Sequence, residues 1–173
     1  MRLWTYNMAT ENKNLSTYDK ASLPDVAGRT IGIITSQWNG QITENMRRGA
    51  YETLLDCGVH ARDIIQWKVP GAFELVNGAK RMLEEGVDVV IVIGCVIQGE
   101  TKHFDFVCQG VTQGIAYLNA TQPVPVIFCL LTDNTLQQSI DRSGGKHGNK
   151  GIEAAITAIQ IIDLEKYRIK GYR

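Results

Sequence analysis

The run VDVVIVIG, Val87 to Gly94, constrains the fold more than any other part of the chain. Val and Ile fill nearly every position, with no alternation of polar and apolar. That pattern suits a strand covered on both faces, as in the middle of a parallel sheet. Parallel neighbours need a long crossover, usually a helix. Helical patterns should therefore lie on both sides of the run, each leading to another strand.

The chain meets that demand. TIGIIT, Thr30 to Thr35, is a short strand pattern. A helix follows from about Gln41, with Ile42, Met46, Ala50 and Leu54 on one stripe and Gly58 as its stop. RDIIQWKV is a second strand, closed by Pro70. Ala72, Leu75, Val76, Ala79, Met82 and Leu83 then keep helical spacing up to Gly86. After the central run, Phe104, Val107, Cys108, Val111, Ile115 and Leu118 form another stripe. PVIFCLL from Pro125 is the fourth strand. A short helix over Asn134 to Arg142 and a loop, SGGKHGNKG, precede a last helix from about Lys150. Repeated strand–helix–strand units predict an α/β fold, a flavodoxin-like three-layer sandwich with a four-stranded parallel sheet. Residues 1–28 are polar and aperiodic and read as a flexible arm; residues 29–173 form the domain. Met8, opening MATENKN, offers a second start.

The last helix, GIEAAITAIQIIDL, is apolar on nearly every side. A monomer's surface helix needs only one apolar face, so contact with another subunit is favoured over burial within one chain.

Composition narrows the function. Lys+Arg and Asp+Glu each number 18, which gives no field that would draw nucleic acid or an anionic membrane. No apolar run reaches the length of a membrane span, and MRLWTYNMAT lacks the apolar core of a secretory signal. The four cysteines, Cys57, Cys95, Cys108 and Cys129, form no CxxC pair or zinc cluster. They read as buried, reduced thiols in the cytoplasm.

Ligands of such sheets sit outside the carboxyl ends of the strands, which selects four turns. In SQWNGQ, Trp38 is either a stacking platform or a core aromatic, and Asn39 either pairs with a heterocycle or caps the next helix. In VPGAFEL, Glu74 either complements the helix dipole or accepts hydrogen bonds from a polyol. In GCVIQGETKHFD, Gly99, Glu100 and Thr101 lead into a helix N-terminus, an anion cradle. His103 follows, either an acid–base group active near neutrality or a surface histidine. In the fourth, Arg142 either matches a phosphate with paired donors or simply suits a helix C-terminus. No metal cluster, serine elbow or cofactor fingerprint accompanies them. A cofactor-free reaction on a phosphorylated small molecule is the reading that uses all four.

The four turns, in this order, resemble the lumazine synthase family of riboflavin biosynthesis. SQWNGQITENMRRGA, VPGAFEL, GCVIQGETKHFD and PVIFCLLTDNTLQQSIDRSGGKHGNKGIEAA carry the likeness over most of residues 30 to 160. The resemblance implies condensation of 5-amino-6-(D-ribitylamino)uracil with 3,4-dihydroxy-2-butanone 4-phosphate, releasing phosphate and water. It gives Trp38 and Asn39 to the pyrimidine, Ala72, Phe73 and Glu74 to the ribityl chain, and Cys95, Val96 and Ile97 to the uracil edge. Glu100, Thr101 and Arg142 fall to the phosphate and His103 to proton transfer. Phe128 matches an aromatic donated by a neighbouring subunit, and Lys150 a lysine near the site. Gln98 stands where the family often has a basic residue. Pentameric rings are implied, with riboflavin synthase as a further partner; the uninterrupted SGGKHGNKG loop resembles members whose rings close into an icosahedral shell, while Pro24 and the polar arm point to the alternative, isolated pentamers. The alternative is a non-catalytic lumazine or flavin carrier, or a shell protein. His103, Arg142 and Glu74 together favour the enzyme.

Overall fold

A computed structural model describes residues 16–164. Four strands, β1 (Ile31–Ser36), β2 (Ile64–Val69), β3 (Val89–Ile97) and β4 (Val126–Asp133), form a parallel sheet in the order β2-β1-β3-β4. The helices are α1 (Gly40–Asp56), α2 (Leu75–Met82), α3 (His103–Thr121), α4 (Leu136–Arg142) and α5 (Lys150–Ile162).

Successive strand residues point to opposite faces, and the core divides accordingly. Ile31, Ile33, Ile91, Ile93 and Cys129 pack with α1 and α5. Ile34, Val90, Val92, Val126 and Leu130 pack with α2 and α3. The flavodoxin-like, three-layer arrangement expected from the alternation is the one observed, and all of β3 from Val89 to Cys95 is buried.

Several boundaries differ from the sequence expectation. β3 does not stop at Gly94; Cys95, Val96 and Ile97 continue it, held by pairing with Leu131, Thr132 and Asp133 of a longer β4. The turn helix expected from Ala72 starts at Leu75, because the Pro70–Gly71 bend continues to Glu74, whose Oε2 accepts the Gly71 N–H at 3.0 Å. α4 starts behind Thr135, which forms a capping box with Gln138. SGGKHGNKG is not all loop. Ser143–Gly145 (β5) and Gly148–Asn149 (β6) pair as a short antiparallel hairpin, with Gly144 and Gly148 at positive φ. Cys57 caps the end of α1 instead of lying within it.

The described part of the expected arm packs on the body. Leu23 and Val26 are buried in the core, and Tyr18 donates to Asp56 Oδ2 at 2.8 Å. Two apolar anchors in a polar stretch leave no period to read. Residues 1–15, with Met8, lie outside the described residues. In α5, Ala154, Ala155, Ala158 and Ile159 are buried in the core it shares with α1, while Ile152, Ile156, Ile161 and Ile162 remain half-buried. Among the described residues, no helix is long and apolar enough to cross a membrane.

Candidate active site

The carboxyl ends of β1, β2 and β3 are joined by hydrogen bonds between their turns. Gln37 N–H donates to Val69 O at 2.9 Å and Trp38 N–H to Pro70 O at 3.2 Å. Asn39 is the one non-glycine residue at positive φ among the described residues (φ 56°, ψ 44°). This conformation turns its side chain away from capping α1 and toward β3, where Nδ2 donates to Cys95 O at 2.9 Å. Trp38, beside it, is 72% exposed, so it is not a core aromatic.

The second turn presents Phe73 and Glu74. One Glu74 oxygen is occupied by Gly71 N–H. Phe73 is 58% exposed and rests on α3 at Gly110, where a Cβ would stand 2.7 Å from Phe73 Cε2. The third turn enters α3 with Lys102 at the N-cap and no side-chain cap. Thr101 Oγ1 accepts the His103 N–H at 3.3 Å. These parts enclose a cavity of about 780 Å³, lined by Trp38, Asn39, Ala72, Phe73, Glu74, Cys95, Val96, Ile97, Thr101 and His103. The size suits a small-molecule ligand. Glu100 is exposed and does not line it.

Arg142 and Phe128 are elsewhere. They line a second cleft of about 580 Å³ over β4, the edge strand, together with Asp133, Lys150 and Glu153. Within one chain Arg142 thus lines a cleft separate from the cavity that holds Thr101 and His103. β4 occupies the sheet's edge, and α4, which leaves its carboxyl end, carries Arg142 to the β4 side. Arg142 Nη1 donates to Gln138 O at 3.2 Å, and its Nε lies 3.9 Å from Asp133 Oδ1. Lys150 Nζ donates to Glu153 Oε2 at 2.7 Å, while Glu153 Oε1 is buried without a partner. Phe128 is 42% exposed on a strand whose neighbours Ile127 and Cys129 are buried.

The chain matches the family model described as 6,7-dimethyl-8-ribityllumazine synthase over residues 28–166. The chain belongs to this family. Proteins named 6,7-dimethyl-8-ribityllumazine synthase are similar to it along most of their length. The one from Flavobacterium johnsoniae is 65% identical, covering 89% of this chain and 82% of its own. That from Flavobacterium psychrophilum is 58% identical, covering 95% and 88%. That from Parabacteroides distasonis is 53% identical, covering 91% and 99%.

Burial disfavours the thiolate form at all four cysteines. Burial pushes the Cys95 thiol up despite its hydrogen bond to Ser139, and pushes Cys129 up to about 12. Sequence reasoning missed Asp133, Glu153 and Gly110. The first two look like ordinary polar residues in a turn and a helix. Gly110 lies beside the apolar stripe of α3, and a glycine inside a helical pattern was its available signal.

Proposed function

We propose that the protein completes each active site where two copies of the chain meet. The Trp38 cavity of one copy faces the Phe128–Arg142 cleft of the next. The observation that carries this reading is the division of charge. The cavity holds Trp38, Glu74 and His103, whereas Arg142 and Lys150, each beside a carboxylate of Asp133 or Glu153, line the separate cleft. A phosphorylated ketone needs both. Exposed Trp38, Phe73 and Phe128 also gain cover from such a contact.

In this account Trp38 stacks on the pyrimidine, and the backbone of Cys95, Val96 and Ile97 reads the uracil edge. Asn39 holds that edge in place through Cys95 O. Glu74 uses its remaining oxygen for ribityl hydroxyls, beside Ala72 and Phe73. Thr101 and the first turn of α3, following Glu100, receive the phosphate with Arg142 of the neighbouring copy. The amine attacks the ketone carbonyl to form an imine and release water. Phosphate then leaves, the resulting enol tautomerises to a carbonyl, and the ribityl-bearing nitrogen closes the ring on that carbonyl with release of a second water; each step moves protons without a redox change. Orientation of two reactants supplies much of the acceleration, and His103 accepts and returns protons. The enzyme works in the cytoplasm, where its four cysteines stay reduced.

The assembly this fits is a closed ring, one of the two outcomes open to a head-to-tail contact, and the family resemblance makes that ring a pentamer. The short β5–β6 hairpin resembles that of shell-forming members of the family, which favours rings that close into an icosahedral shell. Riboflavin synthase, which consumes the product, is the partner such a shell suits. Light scattering combined with the lumazine-absorbance assay tests the reading. A ring or larger particle carrying all the activity is expected; a fully active monomer contradicts it.

A further inference from the structure

We infer that Asp133 is a positioning residue for the Arg142 guanidinium, and that buried Ser139 fixes the Asp133 carboxylate in turn. The inference rests on reading Arg142 as a phosphate ligand. Asp133 is the last residue of β4 and is 8% exposed. Its Oδ2 accepts from Ser139 Oγ at 2.8 Å. Ser139 is fully buried, and its own oxygen accepts from Cys95 Sγ at 3.4 Å. With Oδ2 held from behind, Oδ1 is left to face Arg142 Nε at 3.9 Å.

The guanidinium is then set from two directions, by Asp133 at Nε and by Gln138 O at Nη1. Nη2 and the second Nη1 hydrogen remain as a fork for a ligand. A long side chain loses rotamer freedom when it binds, and a preset geometry lowers that cost. An ordinary surface ion pair needs no buried hydroxyl behind its carboxylate. The sign of one substitution separates the two effects Asp133 can have. If its charge merely opposed phosphate, Asp133→Asn would tighten the ketone phosphate. If it positions Arg142, the same change weakens it.

The test is steady-state kinetics on Asp133→Asn, Ser139→Ala and Arg142→Ala, and on the Asp133→Asn/Arg142→Ala pair. Ser139→Ala alters no charge. KM for the ketone phosphate is expected to rise about 10-fold in Asp133→Asn, which removes the ion pair to Arg142, and about 3-fold in Ser139→Ala, which leaves the carboxylate its charge but not its anchor. KM for the ribitylaminouracil should hold within about 2-fold in both, and Asp133→Asn should add nothing once Arg142 is gone, since residues acting as a unit are not additive. Should Asp133→Asn fail to assemble, Ser139→Ala still reads the effect. A fall in KM, equal rises for both substrates, or an undiminished rise in the Arg142→Ala background overturns the inference. If Arg142→Ala raises KM and neither other variant does, only the positioning role falls. If Arg142→Ala itself changes nothing, the reading of Arg142 falls with it.

Discussion

Asn39 reaches across the sheet end to donate to the carbonyl of Cys95 at 2.9 Å, and does so from a left-handed backbone. The turn that carries Trp38 is thereby fixed to the end of β3, where Cys95, Val96 and Ile97 line the same cavity. Such a conformation costs most residues about 1–2 kcal/mol, and asparagine tolerates it better than alanine.

Asn39→Ala should therefore lose about 1–3 kcal/mol, the strain plus a hydrogen bond. Asn39→Gly removes the strain and keeps the lost bond. Thermal unfolding should rank wild type above Gly and Gly above Ala, with KM for the ribitylaminouracil raised in both. Ala more stable than Gly would refute the backbone part of the argument.

Two glycines of α3 should behave differently. At Gly110 a Cβ meets Phe73, which is mostly exposed and can swing away. At Gly114 it meets Val76 Cγ2 at 2.7 Å and Cγ1 at 2.8 Å, a branched, half-buried side chain. Gly114→Ala should cost about 1–3 kcal/mol by overpacking. Gly110→Ala should leave the melting temperature nearly unchanged but raise KM for the ribitylaminouracil. The reverse assignment of the two effects would contradict this packing.

Cys129 should be the last thiol to react. Burial raises its pKa to about 12, so the thiol stays protonated across neutral pH and thiolate appears only toward that value. Iodoacetamide at pH 8, read by mass spectrometry, should leave Cys129 unmodified in the folded protein and label it after denaturation. Labelling of native Cys129 at a free-thiol rate would show that the interior opens.

His103→Ala should slow turnover by about 10- to 100-fold, below the usual acid–base contribution because both substrates are reactive and stay oriented. An unchanged kcat through neutral pH would remove His103 from the mechanism.

The sequence made the interior of this fold legible, because β-branched residues in an unbroken run have few other uses. Strand ends were less so. Residues Cys95 to Ile97 are held by pairing with β4, a contact far away in sequence. Trp38, Glu74 and His103 could be assigned to the cavity from the rule that ligands sit at strand carboxyl ends. The side on which Arg142 emerges depends on β4 being an edge strand and on the direction of α4, neither of which has a local signature. Asp133 and Ser139 gain meaning only from burial, which a polar turn sequence does not announce.

The claim that two copies build each site is tested most directly by complementation. Arg142→Ala damages the cleft, and Trp38→Ala with His103→Ala damages the cavity of a differently tagged copy. Coexpressed, the two form mixed rings in which some intact cavities face intact clefts. If sites form between copies, random mixing around a closed ring restores about a quarter of them, and the doubly purified rings should show about that share of wild-type activity. Activity no higher than the average of the two parents would contradict the account.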